Sequence, residues 1–359
     1  MTPEAESLHV EVLAATTVST GGTLSGAERH LFLRSERYGS IDRLLDRYAR
    51  PVPQVAPCIT ILLCTLDGAR FLPAQLASIE QQSHKNWRLI VSDDGSTDAT
   101  LTILRHFAER VPQPVEIRTG PRRGPSANFL SLATDSSITG DYFAFCDQDD
   151  RWHPDKLTHA VGWLQSRPKD VSAVYCARTR LVHEAGDPYG HSPLFSKSPS
   201  FSNALVQSIA GANTMVFGRA TKRLLEKAGP VDAVSHDWWT YQLVSGAGGT
   251  VHYESEARVD YRQHVGNHIG CNRGLRAVWQ RFRMVLQGGF AAWNDLNLAA
   301  LHQSRHLLTR DCQELLDTYQ MMRSGSLRLR LMTLLKSGVR RQTLFGNVAL
   351  LTAVILKKL

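Results

Sequence analysis

The sequence predicts an α/β fold, a mostly parallel sheet flanked by helices, continued by a helical C-terminal region. Three observations carry that expectation. Short, uninterrupted apolar runs recur at the length of strands buried on both faces. Segments with apolar residues at helical spacing separate them, the rhythm of a parallel sheet with crossover helices. The runs end in turns rich in Asp and Gly, where an open parallel sheet places its ligands.

Taken in order, Cys58–Thr65 (CITILLCT) is a strand, and Arg70–Gln82 a helix with Phe71, Leu72, Leu76 and Ile79 on one face. Trp87–Ser92 is a second strand. Thr97–Arg110 follows as an amphipathic helix, with Ser96 or Thr97 as its cap and Asp98 near its positive end. Val115–Arg118 is a strand, Ser126–Ala133 a helix and Tyr142–Cys146 a strand. Pro154 opens a helix over Asp155–Gln165, since proline fits the first helical position. Val171–Ala177 and Thr250–Tyr253 read as later strands. Three zones result: an N-terminal extension (1–55), a catalytic α/β domain (56–272) and a helical region with a basic tail (273–359). The first holds a Thr/Gly/Ser-rich stretch (Thr16–Ser25), a helix around Ala27–Tyr48 and a Pro51-Val52-Pro53 linker.

Composition excludes several classes. Hydrophobic residues at 43% and charged residues at 21% are those of a folded globular chain, which rules out disorder. The six cysteines show no CxxC spacing, and Cys64 and Cys146 sit inside apolar runs, so neither a zinc site nor a disulfide framework is expected and a reducing cytosol is. The opening MTPEAE is acidic and has no basic-then-apolar pattern, so no secretory leader is expected, and no run approaches the roughly 18 apolar residues of a membrane span. Charge is localised. Eight of the 41 Lys and Arg lie between Arg323 and Leu359, where there is no acid; the remaining 33 match the 33 Asp and Glu upstream.

The chemistry concentrates at three turns: Thr65-Leu66-Asp67-Gly68, Asp93-Asp94-Gly95-Ser96 and Asp147-Gln148-Asp149-Asp150. Carboxylates gathered at one sheet end repel each other and call for cations or hydrogen-bond donors. Asp93 and Asp94 would accept from a pyrimidine N–H or ribose hydroxyls, with Gly95 allowing the sharp turn; the alternative is an Asx turn before a helix. In an extended segment Asp147 and Asp149 face the same side and can share one ion, Mg²⁺ or Mn²⁺ by their hard oxygens; the alternative is a solvated acidic cap.

In this order and spacing, CITILLCTLDG, SDDGSTD and YFAFCDQDDRWHPDKL resemble the inverting family 2 glycosyltransferases of the GT-A fold, in the bacterial rhamnosyltransferase-like branch. His236-Asp237-Trp238-Trp239 and the Tyr261–Asn267 segment match the same branch, and the resemblance spans residues 57–272. It implies that Thr65, Asp67, Asp93 and Asp94 line the nucleotide pocket and that Asn128, in a GxxxNF element, lies near the donor. It implies that Asp147 and Asp149 form the DxD pair on donor ribose and metal, with His264 as a further metal or diphosphate ligand. Asp237 would be the catalytic base, written HD here where relatives usually have ED. Leu66-Asp67 departs from the aromatic-Asn pair common in the family.

The reaction so implied moves a sugar, rhamnose by branch, from a dTDP- or UDP-sugar to a glycan or lipid-linked acceptor in cell-surface polysaccharide synthesis, in the cytoplasm at the inner face of the membrane. A divalent ion neutralises the departing diphosphate, and Asp237 deprotonates the acceptor hydroxyl as it attacks from the opposite face. Trp238 and Trp239 would stack on sugar faces, or else occupy the buried face of a short helix. Arg262, Gln263 and Asn267 would donate to diphosphate or acceptor oxygens. The tail, with an apolar Val348–Leu356 run between basic pairs, suits a helix lying on an anionic membrane; the alternative is a helix packed on the domain. A sugar nucleotidyltransferase would need a Gly-rich loop where LDGARF stands, and a phosphatase a different residue set after its DxD. The neutral body argues against nucleic acid as a partner.

Overall fold

The computed structural model describes residues 56–209, 211–264 and 289–359. The expected N-terminal helix and linker, Asn267, Cys271 and the 272/273 boundary lie outside the described residues.

The chain runs β1 (Ile59–Thr65), α1 (Leu72–Glu80), β2 (Trp87–Asp93), α2 (Thr100–Arg110), β3 (Val115–Thr119), α3 (Pro125–Ala133), β4 (Tyr142–Cys146), β5 (Arg151–Trp152) and α4 (Lys156–Gln165). Then follow β6 (Ala173–Ala177), β7 (Arg180–Val182), β8 (Pro188–His191), α5 (Phe201–Ala204), a 3-10 turn (Ala212–Thr214), β9 (Val216–Gly218), α6 (Arg219–Ala228), α7 (His236–Gly246), β10 (Thr250–Glu254) and β11 (Val259–Arg262). The C-terminal helices are α8 (Gly289–Gln303), α9 (Arg310–Ser324), α10 (Leu327–Ser337) and α11 (Leu344–Ile355).

Seven strands form the main sheet in the order β10-β6-β9-β4-β1-β2-β3. β1 lies inside it between β4 and β2, parallel to both, and every one of its residues is buried. Its side chains alternate between two cores, as the twofold repeat of a strand requires: Ile59, Ile61 and Leu63 join α1, α2 and α4 residues on one face, while Leu62 and Cys64 join α3, α7 and the C-terminal helices on the other. β9 alone runs antiparallel to its neighbours β4 and β6. A second sheet, β5-β11-β7-β8, lies off the main one and carries the end of β11.

Two expectations about helix starts are corrected. α2 begins at Thr100 behind Ala99, with no side-chain cap. Ser96 and Thr97 instead bond Asp67: its backbone N–H donates to Ser96 Oγ (2.9 Å), and Thr97 N–H donates to its carboxylate (2.8 Å). Asp98 does sit at the positive end, accepting from Thr100 N–H at 2.9 Å. Pro154 precedes α4 by two residues rather than opening it, because the 153–156 turn spends the Lys156 N–H on the His153 carbonyl.

Helices α9, α10 and α11 are capped by Thr309, Ser326 and Thr343, whose hydroxyls accept from backbone N–H groups three residues on. Gly338, left-handed at φ +66, ends α10. Leu301, Leu316, Tyr319, Met322, Leu350 and Val354 bury these helices in the same core as α3 and α7, and residues 56–359 form one compact unit. Among the described residues no helix is long and apolar enough to cross a membrane.

Candidate active site

Strand register sets the site. Thr65 lies opposite Asp93, and Leu63 opposite Cys146, so the three acidic turns leave the sheet at one end, side by side.

The two acids after β2 have different jobs. Asp93 Oδ1 accepts from the Thr65 (2.8 Å) and Ser96 (2.5 Å) hydroxyls, and Oδ2 from the Gly95 (3.2 Å) and Ser96 (2.9 Å) N–H groups. Those four bonds use the acceptor capacity of a carboxylate. Asp93 is therefore a buried turn-former, and its expected role as a donor ligand is corrected. Asp94 accepts one bond per oxygen, from Arg122 N–H (2.6 Å) and Gly124 N–H (3.0 Å), which leaves each oxygen a lone pair for a nucleotide. Gly120 is needed beneath it, since a Cβ there would lie 2.8 Å from both Asp94 Oδ1 and Asn128 Oδ1.

Asn128 is also corrected: its amide is buried against Ser92, accepting from the hydroxyl (2.5 Å) and donating to the carbonyl (3.0 Å), and it ties α3 to β2 rather than facing a ligand. Thr65 is buried with its hydroxyl on Asp93, while Asp67 is exposed, in a left-handed conformation (φ 45) held by Thr97. Gln148 clamps the first and third turns together, its amide accepting from Leu66 N–H and donating to Leu66 C=O, both at 2.9 Å.

The Asp147–Asp150 turn is an electrostatic focus. Burial, then Asp149 and Asp237, push the Asp147 carboxyl up to about 8, against the opposing pull of Lys156. Asp149 Oδ2 meets His264 Nε2 at 2.8 Å, and the imidazole rests on Phe71 with ring centroids 4.7 Å apart. Asp150 is buried and held by Asn213 Nδ2 (2.6 Å) and Arg262 N–H (3.2 Å); burial and its neighbouring acids raise its carboxyl well above the ordinary range. Beneath them lies buried Lys156, its ammonium 3.4 Å from the centre of the Trp152 ring and lowered to about 7 by burial, which Cys146, Asp150 and Asp147 oppose.

Of the expected donors after β11, Arg262 and Gln263 are among the described residues. The Arg262 guanidinium donates to the carbonyls of Asp149 (3.1 Å) and Glu184 (2.5 Å), which ties the Asp147–Asp150 turn to the chain after β7. Gln263 N–H donates to the Val182 carbonyl (2.9 Å), extending the strand pairing.

Asp237 stands in the first turn of α7, where the helix dipole favours its ionised form. Burial raises its carboxyl, offset in part by hydrogen bonds from Ser235, Trp238 and Ala212. Its charge adds to burial and to Asp149 in raising the Asp147 carboxyl. His236 is stacked on Phe129 at 3.9 Å, and burial lowers it to about 3, so it is a neutral core residue. Trp238 and Trp239 are corrected as well. They are 5% and 0% exposed, Trp238 Nε1 donating to the Ala204 carbonyl (2.6 Å), and neither presents a ring face to a sugar.

The residues fit a divalent cation. Among the described residues no three His, Cys, Asp or Glu side chains form a cage of their own, so the expected Asp147–Asp149–His264 trio is not preassembled, although Asp149 and His264 touch. Mg²⁺ and Mn²⁺ suit such an arrangement, since ions of this kind bind through one or two carboxylates plus substrate phosphates. The Asp147 carboxyl, lifted by burial and then by its acidic neighbours Asp149 and Asp237, is a place where positive charge would be stabilised.

Gln148, Asp150, Asn213 and Lys156 were not singled out from the sequence. The first two sit within the DQDD string and Lys156 six positions beyond it, while Asn213 is 63 residues from its partner Asp150 and gave no signal.

Residues 60–221 match the model of glycosyl transferase family 2. The chain is 27% identical over 234 residues to the dTDP-rhamnosyl transferase RfbG of Shigella flexneri, covering 62% of this chain and 78% of that one. It is 24% identical over 231 residues to TuaG of Bacillus subtilis, a glycosyltransferase named for teichuronic acid biosynthesis, covering 64% and 88%. Among solved structures, S. aureus TarS 1–349 in complex with UDP-GlcNAc superposes with a TM-score of 0.50 at 13% identity, covering 84% of this chain and 90% of that one, a likeness of fold.

Proposed function

Since the chain carries a family 2 glycosyltransferase domain, we propose that it transfers a sugar from a nucleoside-diphosphate donor to a glycan or lipid-linked acceptor in cell-surface polysaccharide synthesis, with inversion and with a divalent metal. The observation that carries this reading is the strand register that brings the Thr65, Asp94 and Asp147–Asp150 turns out of one end of the sheet, with Asp149 against His264. The relative named for dTDP-rhamnosyl transfer supports a dTDP-rhamnose donor, with UDP-sugars as the second choice.

In this reading Asp94, Asp67 and Thr65 take the nucleoside, and Gln148 fixes their loop to the metal-side turn. Mg²⁺ or Mn²⁺ held by Asp149 and His264, with Asp147 beside them, would neutralise charge on the departing diphosphate. Asp237 accepts the proton of the attacking hydroxyl, its raised carboxyl making it a better base than an ordinary aspartate. Arg262 and Asn213 keep the Asp149-Asp150 turn in place. We place the reaction in the cytoplasm, at the inner face of the membrane.

Calorimetry with dTDP- and UDP-sugars, with and without Mn²⁺ or Mg²⁺, tests the donor side. Asp149→Ala is expected to lose the metal-dependent part of binding. Asp237→Asn is expected to bind donor as the wild type does while transfer falls about 10²–10⁴-fold. Full transfer by Asp237→Asn removes the base assignment.

A further inference from the structure

Of the sixteen large apolar side chains exposed among the described residues, eleven lie between Met321 and Leu356. Chance scatter over the surface does not give that concentration, and contiguous apolar surface on a folded chain marks a contact. On α11 the exposed residues are Leu344, Phe345, Val348, Leu351 and Ile355, one stripe at helical spacing, while Leu350, Ala353 and Val354 face the core. The helix is thus apolar on two sides and covered on one.

The most exposed of these, Leu335 (85%), Leu344 (83%) and Phe345 (72%), bracket the 338–343 loop and so share one end of the α10–α11 hairpin. The same hairpin carries basic charge and no acid. Arg328, Lys336 and Lys357 are exposed, Arg340 and Arg341 sit in the loop, and no Asp or Glu occurs from Arg323 to Leu359. Repulsion makes this face a poor partner for a second copy of itself, whereas an anionic lipid surface meets both its charge and its apolar tip.

We propose that the α10–α11 hairpin is a docking surface for an anionic bilayer, with Leu335, Leu344 and Phe345 entering the acyl boundary and the surrounding cations meeting lipid phosphates. Long Lys and Arg stems reach the headgroups while the apolar tip goes deeper. The surface lies on helices the donor site does not use, so docking and sugar transfer can fail separately.

The full chain is tested by co-flotation with phosphatidylcholine vesicles containing or lacking 40% phosphatidylglycerol, donor binding being measured on the same preparation. Binding is expected to the anionic vesicles only, and to weaken with salt. Arg328→Gln, Lys336→Gln and Lys357→Gln are each expected to cost about fivefold in partition. The Leu335→Ser/Leu344→Ser/Phe345→Ser triple variant, altered only at exposed positions, is expected to lose at least tenfold with donor binding unchanged. Three results overturn the proposal: no flotation of the wild type, unaltered flotation of the triple variant, or a wild-type dimer that the triple variant dissolves without any vesicle binding.

Discussion

Asp260 ties the second sheet to the active site, and its removal has a calculable cost. Its carboxylate is buried, with Oδ1 2.6 Å from Arg180 Nε and 2.9 Å from His153 Nε2, and Oδ2 2.9 Å from Arg180 Nη2. Burial alone would raise its carboxyl, but the His153 and Arg180 bonds outweigh that and hold it at about 2 against the ordinary 3.8. The gap is worth roughly 2.4 kcal/mol of stability at pH 7. The folded value is depressed, so the contribution is complete above the unfolded value and drains away as pH falls through the folded one. At pH 3 roughly 1.3 kcal/mol of it remains by the same linkage. Asp260→Asn should therefore destabilise by about 2 kcal/mol at neutral pH and by about half as much at pH 3, read from urea unfolding of both proteins at each pH. A wild-type-minus-variant difference that is flat or grows on acidification would refute the ion-pair account.

Other outcomes follow from the same geometry. Gly120→Ala drives a methyl to 2.8 Å from Asp94 Oδ1 and Asn128 Oδ1, both already pinned, and should cost about 1–3 kcal/mol and weaken nucleotide affinity; unchanged calorimetric binding would contradict the role given to Asp94. Trp239→Ala should cost about 3–5 kcal/mol, whereas Trp239→Phe should fold with acceptor KM near the wild-type value. A large rise in acceptor KM for Trp239→Phe would restore the ring to the sugar site. Burial raises the Asp237 carboxyl and only its ionised form accepts a proton, so kcat/KM should fall on acidification with a midpoint above 3.8. A midpoint at or below that value would point to another base.

The elements legible in the sequence were those whose signal repeats. β1, β2 and β4 are five to seven apolar residues long, and their boundaries emerge within a residue of expectation. β5, β7, β9 and β11 have two to four residues each, too few for a period to declare itself, and the antiparallel direction of β9 is a property of its neighbours. The candidate site shows the same division. Acids at strand ends mark the crevice, but Asp93 and Asp94 are the same residue type in adjacent positions, and only the Thr65 and Ser96 hydroxyls make one of them a turn-former. The alternative of buried tryptophans won at Trp238 and Trp239 because α7 is covered on most of its circumference, which residue types alone could not reveal.

The reversed direction of β9 separates two halves of the crevice by origin. Parallel strands β1, β2 and β4 deliver their carboxyl ends to it, whereas β9 arrives from it, so the chain just before β9 is what lies there. That stretch supplies Asn213 to Asp150 and the Ala212 N–H to Asp237. An insertion or deletion ahead of Ala212 would thus remodel the wall beside Asp150 and Asp237 while the turns after β1 and β2 kept their shape, which, under the proposed function, makes this short passage the natural place to change which acceptor is received.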